Sequence, residues 1–379
     1  MKAIYQLWGL TSRAQDWDSL IQKVGRIQTQ HPAEAMVCGV GAPEDVYRRI
    51  REIADQKGSR MYLWLPAFSE WDSLAEFDPL IDHHGAAFLK ERQLQDGFRF
   101  RCPQSRKNRD IFFEESLKHL KKGAFDGVFL DRIRFPSFQF GLSGVLSCFC
   151  PACLKKMRTA GLDPDRLRAA CAALSERVHR GEDDPLGLKS FDGSRWELKD
   201  KDLQALFDLR CGTVTDAVMD LGSRYREKGY RIGLDLFTPS LAYFAGQNIR
   251  QLAPLADFIK PMLYLDTLAP AGLPYELNVA DEALGGGTKA RLLEICGAHD
   301  AETLASAEIP SIRTAVPGAK VFCGMEINRV RDIAPVGPPQ IRRTLRVFKA
   351  AGADGVMPSW SFLSAPDENI QALADTLKE

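Results

Sequence analysis

The sequence predicts an α/β fold: a (β/α)8 TIM barrel with long insertions after strands 3 and 4. Three observations predict it. Eight short, nearly continuous apolar runs are spread along 379 residues. Amphipathic helical stretches separate them. No GxGxxG follows the first run, which disfavours the dinucleotide-binding form of the rival, a doubly wound open sheet. Apolar strands alternating with helices imply a parallel sheet covered on both faces. Eight such units suggest closure into a barrel.

The runs come in order. They are "AIYQLWGL" from Ala3, "AMVCGVGA" from Ala35, "RMYLWLPAF" from Arg60 and "FDGVFLDRIRFP" from Phe125. "RIGLDLFTPS" from Arg231, "DFIKPMLYLD" from Asp257, "KVFCGMEIN" from Lys320 and "GADGVMPSWSF" from Gly352 complete the set. Between them lie helix patterns such as "PEDVYRRIREIADQKG" and "PPQIRRTLRVFKAAGADG", the latter opened by proline and ended by glycine as capping preferences require. Two connections exceed plain βα loops. Residues 69–108 hold Trp71, His83, His84 and Cys102, and residues 137–229 hold a cysteine cluster, helices and the polar stretch "HRGEDDPLGLKSFDGSRWELKDKD". Both follow strands on their carboxyl side, where barrel enzymes build active sites. The reading is one barrel domain over 1–379, with 69–108 as a top-face insertion and 137–229 as a cysteine-containing helical subdomain or lid.

Composition narrows the function classes. The chain is 45% apolar and 26% charged with zero formal net charge, so no basic excess steers it to nucleic acid or anionic lipid. Low colloidal repulsion leaves homo-oligomerisation open. No run reaches the roughly 18 apolar residues of a membrane span, and "MKAIYQLWGL" lacks the h-region of a signal peptide. Nine cysteines, most of them singly placed in apolar segments, read as reduced and cytoplasmic usage.

Polar residues gather at the strand ends. Gln6 and Trp8 belong to the first strand and Trp64 to the third. Asp131, Arg132 and Arg134 end the fourth and Asp235 the fifth. Lys260, Tyr264 and Asp266 belong to the sixth, Glu326 and Asn328 to the seventh, and Trp360 to the eighth. A terminal aspartate is often only a helix N-cap, but in a barrel these ends ring one mouth. Carboxylates, arginines and tryptophans around a mouth suit a small carbohydrate, because tryptophan faces stack on sugar rings. Glycosidic cleavage needs two carboxyl groups at one bond. Asp131 is the first choice, and Glu326, roughly opposite in the ring, is the second. The glycine of "CGMEIN" is read as leaving room for substrate. Asp235 is in reserve, as a neighbour that tunes a pKa or as the acid itself; Asp266 is a further reserve. Alternation places Arg132 and Arg134 on the face opposite Asp131. They suit a carboxylate, sulfate or phosphate on an anionic substrate, or else pair with loop acids. Lys260 inside an apolar strand invites a different reading, a Schiff-base lyase or aldolase. A barrel that binds sugar without turnover is the third reading.

Cys148, Cys150 and Cys153 read C-x-C-x2-C. Thiolates this close suit metal, and closed tetrahedral zinc needs a fourth ligand. Cys102 is the candidate, with His83 or His84 as alternatives. An all-thiolate site leaves no position for water, so the zinc would be structural and no organic cofactor is called for. One distant cysteine followed by C-x-C-x2-C after the fourth strand resembles the zinc site of the family 42 β-galactosidases, members of the retaining clan A glycoside hydrolases. That resemblance implies an acid/base at the end of strand four, a glutamate nucleophile at the end of strand seven, matched by Glu326, and a tryptophan flooring the sugar site, matched by Trp360. "GVFLDRIRFP" is similar to glycosidase-like barrels in which an aspartate ends strand four. The clan's Asn-Glu is here Leu130-Asp131, one methylene shorter. The expectation is a retaining glycosidase-like barrel with a structural zinc.

Overall fold

A computed structural model of the chain describes residues 1–9, 15–69, 76–88 and 99–379. Trp71 and parts of the 69–108 insertion lie outside them. The eight runs form eight parallel strands: β1 (Lys2–Gln6), β2 (Ala35–Cys38), β3 (Arg60–Pro66), β4 (Gly127–Asp131), β5 (Arg231–Leu236), β6 (Phe258–Pro261), β7 (Phe322–Glu326) and β8 (Gly355–Ser359). They neighbour one another in the order β6-β5-β4-β3-β2-β1-β8-β7. Parallel bridges Ile259–Val321 and Met262–Gly324 join β6 to β7, so the ring is nearly closed.

Local chemistry explains the elements. The helix Glu44–Lys57 follows Pro43 and stops at Gly58, whose φ of 67° a side chain would resist. The helix Pro338–Ala350 starts on a proline, whose missing N–H costs nothing in the first turn. Strand residues alternate between two packings. Ile4, Val37, Tyr62, Phe129, Phe258, Phe322 and Met357 form a core inside the ring, and the opposite parity packs on the helices. Phe129 and Phe258 stack at 5.7 Å and help fill the barrel below its mouth.

The insertion after β4 contains helices Pro151–Thr159 and Pro164–His179, then an antiparallel pair, Leu188–Phe191 with Trp196–Leu198. In the sequence this pair lies within a polar stretch. The Asp-Gly signal lay inside it: Gly193 has φ 88°, and Asp192 Oδ1 accepts hydrogen bonds from the amides of Ser194 and Arg195. The long helix Lys201–Glu227 follows, N-capped by Asp200. Among the described residues no helix is long and apolar enough to cross a membrane.

Candidate active site

The inner core explains where polar groups emerge. One inward step above Ile4, Phe129, Gly233, Phe258 and Met357 stand Gln6, Asp131, Asp235, Lys260 and Ser359. Two residues along a strand return to the same face, so a polar layer caps the filled barrel. A cavity of about 370 Å³ opens over it. Of the residues expected from sequence, Trp64, Asp131, Arg132, Arg134, Asp235, Lys260, Tyr264 and Trp360 line it. Gln6, another of the polar strand ends, joins them, and Gly9, Met262, Pro270, Ala271 and Ser361 complete the lining.

Asp131 and Asp235 sit side by side. The β4–β5 register pairs Leu130 with Leu234, which makes the two aspartates the next pair along. Their environments differ. Asp131 accepts from its neighbour's amide, Arg132 N (2.5 Å), and from Trp64 Nε1 (3.0 Å). Burial pushes its pKa up, while Lys260 and these donors pull it down. Asp235 is deeper, 2% exposed. Its Oδ2 accepts from Lys260 Nζ at 2.9 Å, and its Oδ1 has no partner among the described residues. Burial, reinforced by the Asp131 charge and opposed by Lys260, pushes Asp235 up to about 7. Lys260 Nζ also donates to Gln6 Oε1 (3.3 Å), which accepts in turn from Ser359 Oγ (2.9 Å). Burial acts to lower the Lys260 pKa, but Asp235 and Tyr264 outweigh it and hold the ammonium above its usual range.

The arginines depart from simple alternation. Arg132 has φ 52°, so the strand ends abruptly after Asp131 and both residues reach the cavity. Arg132 Nη1 donates to Ser69 Oγ (3.2 Å). Arg134, 4% exposed, lies between the rings of Phe100 and Phe237, each 4.9 Å from its guanidinium carbon. Phe100 and Phe237 carried no polar signal and were missed in the sequence. Trp360, joined to Ser359 by a cis peptide, meets Tyr264 edge-on with ring centroids 6.4 Å apart.

Four expected residues do not line the cavity. Glu326 has the inward parity of β7, but its Oε1 accepts from Asp266 N (2.7 Å) and Thr267 Oγ1 (3.0 Å). It thereby holds the loop after β6, and burial pushes it up to about 7. The glycine before it makes room for a different group: a Cβ on Gly324 would lie 2.8 Å from Lys260 Cε. Asp266 turns outward and pairs with Arg343 Nη2, both oxygens at 2.7 Å. Asn328 Oδ1 accepts from the amides of Trp360 (2.7 Å) and Ser361 (2.8 Å), so it positions the tryptophan without facing the cavity. Trp8, beyond the end of β1, packs against Trp17 and Tyr47 on the helical layer.

The cysteines converge. Cys102, Cys148, Cys150 and Cys153 are buried, and their sulfurs all lie within 4.8 Å of one another. The Cys102 sulfur is 3.5 Å from those of Cys150 and Cys153, far beyond a disulfide bond of about 2 Å. Tetrahedral zinc with bonds of about 2.3 Å requires sulfurs about 3.8 Å apart, so the group could hold such an ion. The amides of Ile81 (3.3 Å) and Cys150 (3.5 Å) point at the Cys148 sulfur, as donors to a thiolate would. The residue that joins the three clustered cysteines is Cys102 and not a histidine; the His83 ring lies against that of His84, tilted by 40°. The set bridges the two long insertions.

No family model matches the chain, and no curated protein matches it significantly. Solved structures do match. The glycoside hydrolase domain of PgaB (BpsB) from Bordetella bronchiseptica superposes with a TM-score of 0.65 at 15% identity, covering 99% of this chain and 98% of that one. The β-galactosidase of psychrophilic Marinomonas ef1 gives 0.55 at 13% identity, with 100% and 59% covered. A β-galactosidase from Rahnella sp. R3 gives 0.52 at 12% identity, with 99% and 55% covered. The chain thus spans less than two thirds of either β-galactosidase. At these identities the likeness establishes the barrel fold.

Proposed function

We propose that the chain is a glycoside hydrolase with Asp131 and Asp235 as its carboxyl pair. One observation carries the reading: two neighbouring aspartates, in environments that separate their proton affinities, face a cavity flanked by Trp64 and Trp360. Groups pushed apart in this way divide acid from base. Asp235, with a free Oδ1 and a pKa near neutrality, is the proton donor to the leaving oxygen. Asp131, supplied with two donors, is the carboxylate that stabilises positive charge at the sugar carbon or attacks it. Adjacent strands lie about 4.8 Å apart, which favours the short, retaining carboxyl separation of about 5–5.5 Å. The match to a structure described as a glycoside hydrolase domain supports the reading. Glu326, the second choice from sequence, becomes a positioning residue for the loop after β6.

Lys260 does not favour the lyase reading. Imine formation needs a neutral amine, and Asp235 keeps this one charged and engaged. We assign the four cysteines to a structural zinc, which they would enclose completely with no coordination site left for water. None of the nine cysteines is in a disulfide, which fits a reducing compartment. The test is a panel of aryl glycosides of both anomers. The parent should hydrolyse at least one of them, with loss of about 10²–10⁴-fold or more in Asp131→Asn. A panel without turnover, or an unaffected variant, refutes the assignment.

A further inference from the structure

One charged group of the cavity has no role in that chemistry. Arg134 is buried in the cavity wall, yet it forms no ion pair among the described residues. Among those residues its Nη1 donates only to the Phe135 carbonyl (3.2 Å), and its Nε has no partner. Arginine does not shed its proton in proteins, and a buried unpaired charge is costly. Phe100 and Phe237 clamp the guanidinium between two faces, so its plane is fixed and its N–H groups project from the edge. Glu276, Asp131 and Asp235 act on it only from beyond ion-pairing distance. Such a cation is held ready for an anion that the described residues do not supply.

The acid role points the same way. Asp235 answers Lys260 directly. Protonation of Asp235 removes one negative charge from the lining, so the reactive form of the site favours an anionic ligand more than the fully ionised form does.

We propose that the cavity takes a carboxylate-bearing sugar, a uronic acid or uronide, and that Arg134 binds its carboxylate. A planar fork matches a carboxylate better than it matches a point charge. The proposal rests on the hydrolase reading for turnover, but its binding claim stands apart. The test is titration calorimetry on the full chain at low salt. Glucuronate and galacturonate are compared with glucose and galactose, and sulfate is a competitor. At least one uronate should bind about tenfold or more tighter than its neutral counterpart, as a charge-assisted pair predicts. Arg134→Lys, which keeps the charge and loses the fork, should shrink that ratio, and Arg134→Gln should abolish it. Arg134→Lys carries the test if the glutamine variant does not fold. Uronates that bind no better than neutral sugars, or do not bind, overturn the proposal; that result is expected if a water links Arg134 to Glu276, whose Oε2 also lacks a partner. A ratio unchanged in the variants, or sulfate matching the uronates, overturns it as well. Hydrolysis of neutral glycosides alone would sink this inference and spare the hydrolase. Tight uronate binding without turnover of any glycoside would do the reverse.

Discussion

Replacing Asp235 by asparagine isolates the proton-donor role. The amide has nearly the same shape, and its oxygen can still accept from Lys260 Nζ, now 2.9 Å from the carboxylate. What disappears is the negative charge beside the ammonium and the titrating Oδ1. A hydrogen bond to a charged partner is worth about 1.5–3 kcal/mol, and breaking a buried pair outright costs about 3–5 kcal/mol. The variant keeps the bond and loses the charge, so the expected cost is about 2 kcal/mol, within the 5–15 kcal/mol of a typical fold. Loss of a general acid lowers the rate about 10²–10⁴-fold. That loss must depend on the leaving group. A 2,4-dinitrophenolate departs without a proton, so the deficit there should fall below about tenfold, while a methyl or sugar leaving group shows it in full. The pH profile gives a second reading. Asp235 is protonated below about 7, so parent activity should decline as pH rises through 7, and the variant should lack that limb. An equal loss on both kinds of leaving group, with the alkaline limb intact, would refute the acid assignment.

The remaining outcomes concern Glu326 and the cysteine cluster. Glu326→Gln keeps an oxygen for Asp266 N and Thr267 Oγ1, so turnover should stay within about tenfold of the parent; a loss of about 10³-fold or more would return Glu326 to the reacting pair. Its raised pKa also makes the parent lose stability as pH climbs from the ordinary 4.5 through about 7, by at most about 3 kcal/mol, and denaturant unfolding of the glutamine variant should lack that component. Protein purified without chelator should carry about one zinc per chain, and Cys150→Ser about none. Because Phe100 lies two residues from Cys102 and clamps Arg134, metal loss should also weaken ligand binding in the cavity; zinc-free parent protein of full stability would reduce the cysteines to spare thiols.

Much of this was legible in the chain itself. A strand buried on both faces must be apolar throughout, and helices between strands must show a 3.6-residue stripe, so the eight runs and their order follow from local burial requirements. The C-x-C-x2-C group was legible for a similar reason, since ligands to one ion on a short segment must be close in sequence. Reading each strand two residues past its inner aromatic or aliphatic core residue finds Gln6, Asp131, Asp235, Lys260 and Ser359, because the pleat repeats every second residue.

What tertiary structure decided is which of those ends meet, and facing which way. Asp131 stands beside Asp235, because the β4–β5 register aligns the two, while the Glu326 carboxylate accepts from the loop after β6. Arg132 defies alternation through one positive φ, and Arg134 is clamped by rings from two distant segments. Local periodicity records whether a side chain points in or out. Proton affinity and partner choice depend on groups brought together from tens to more than a hundred residues away, and only the closed barrel sets those distances.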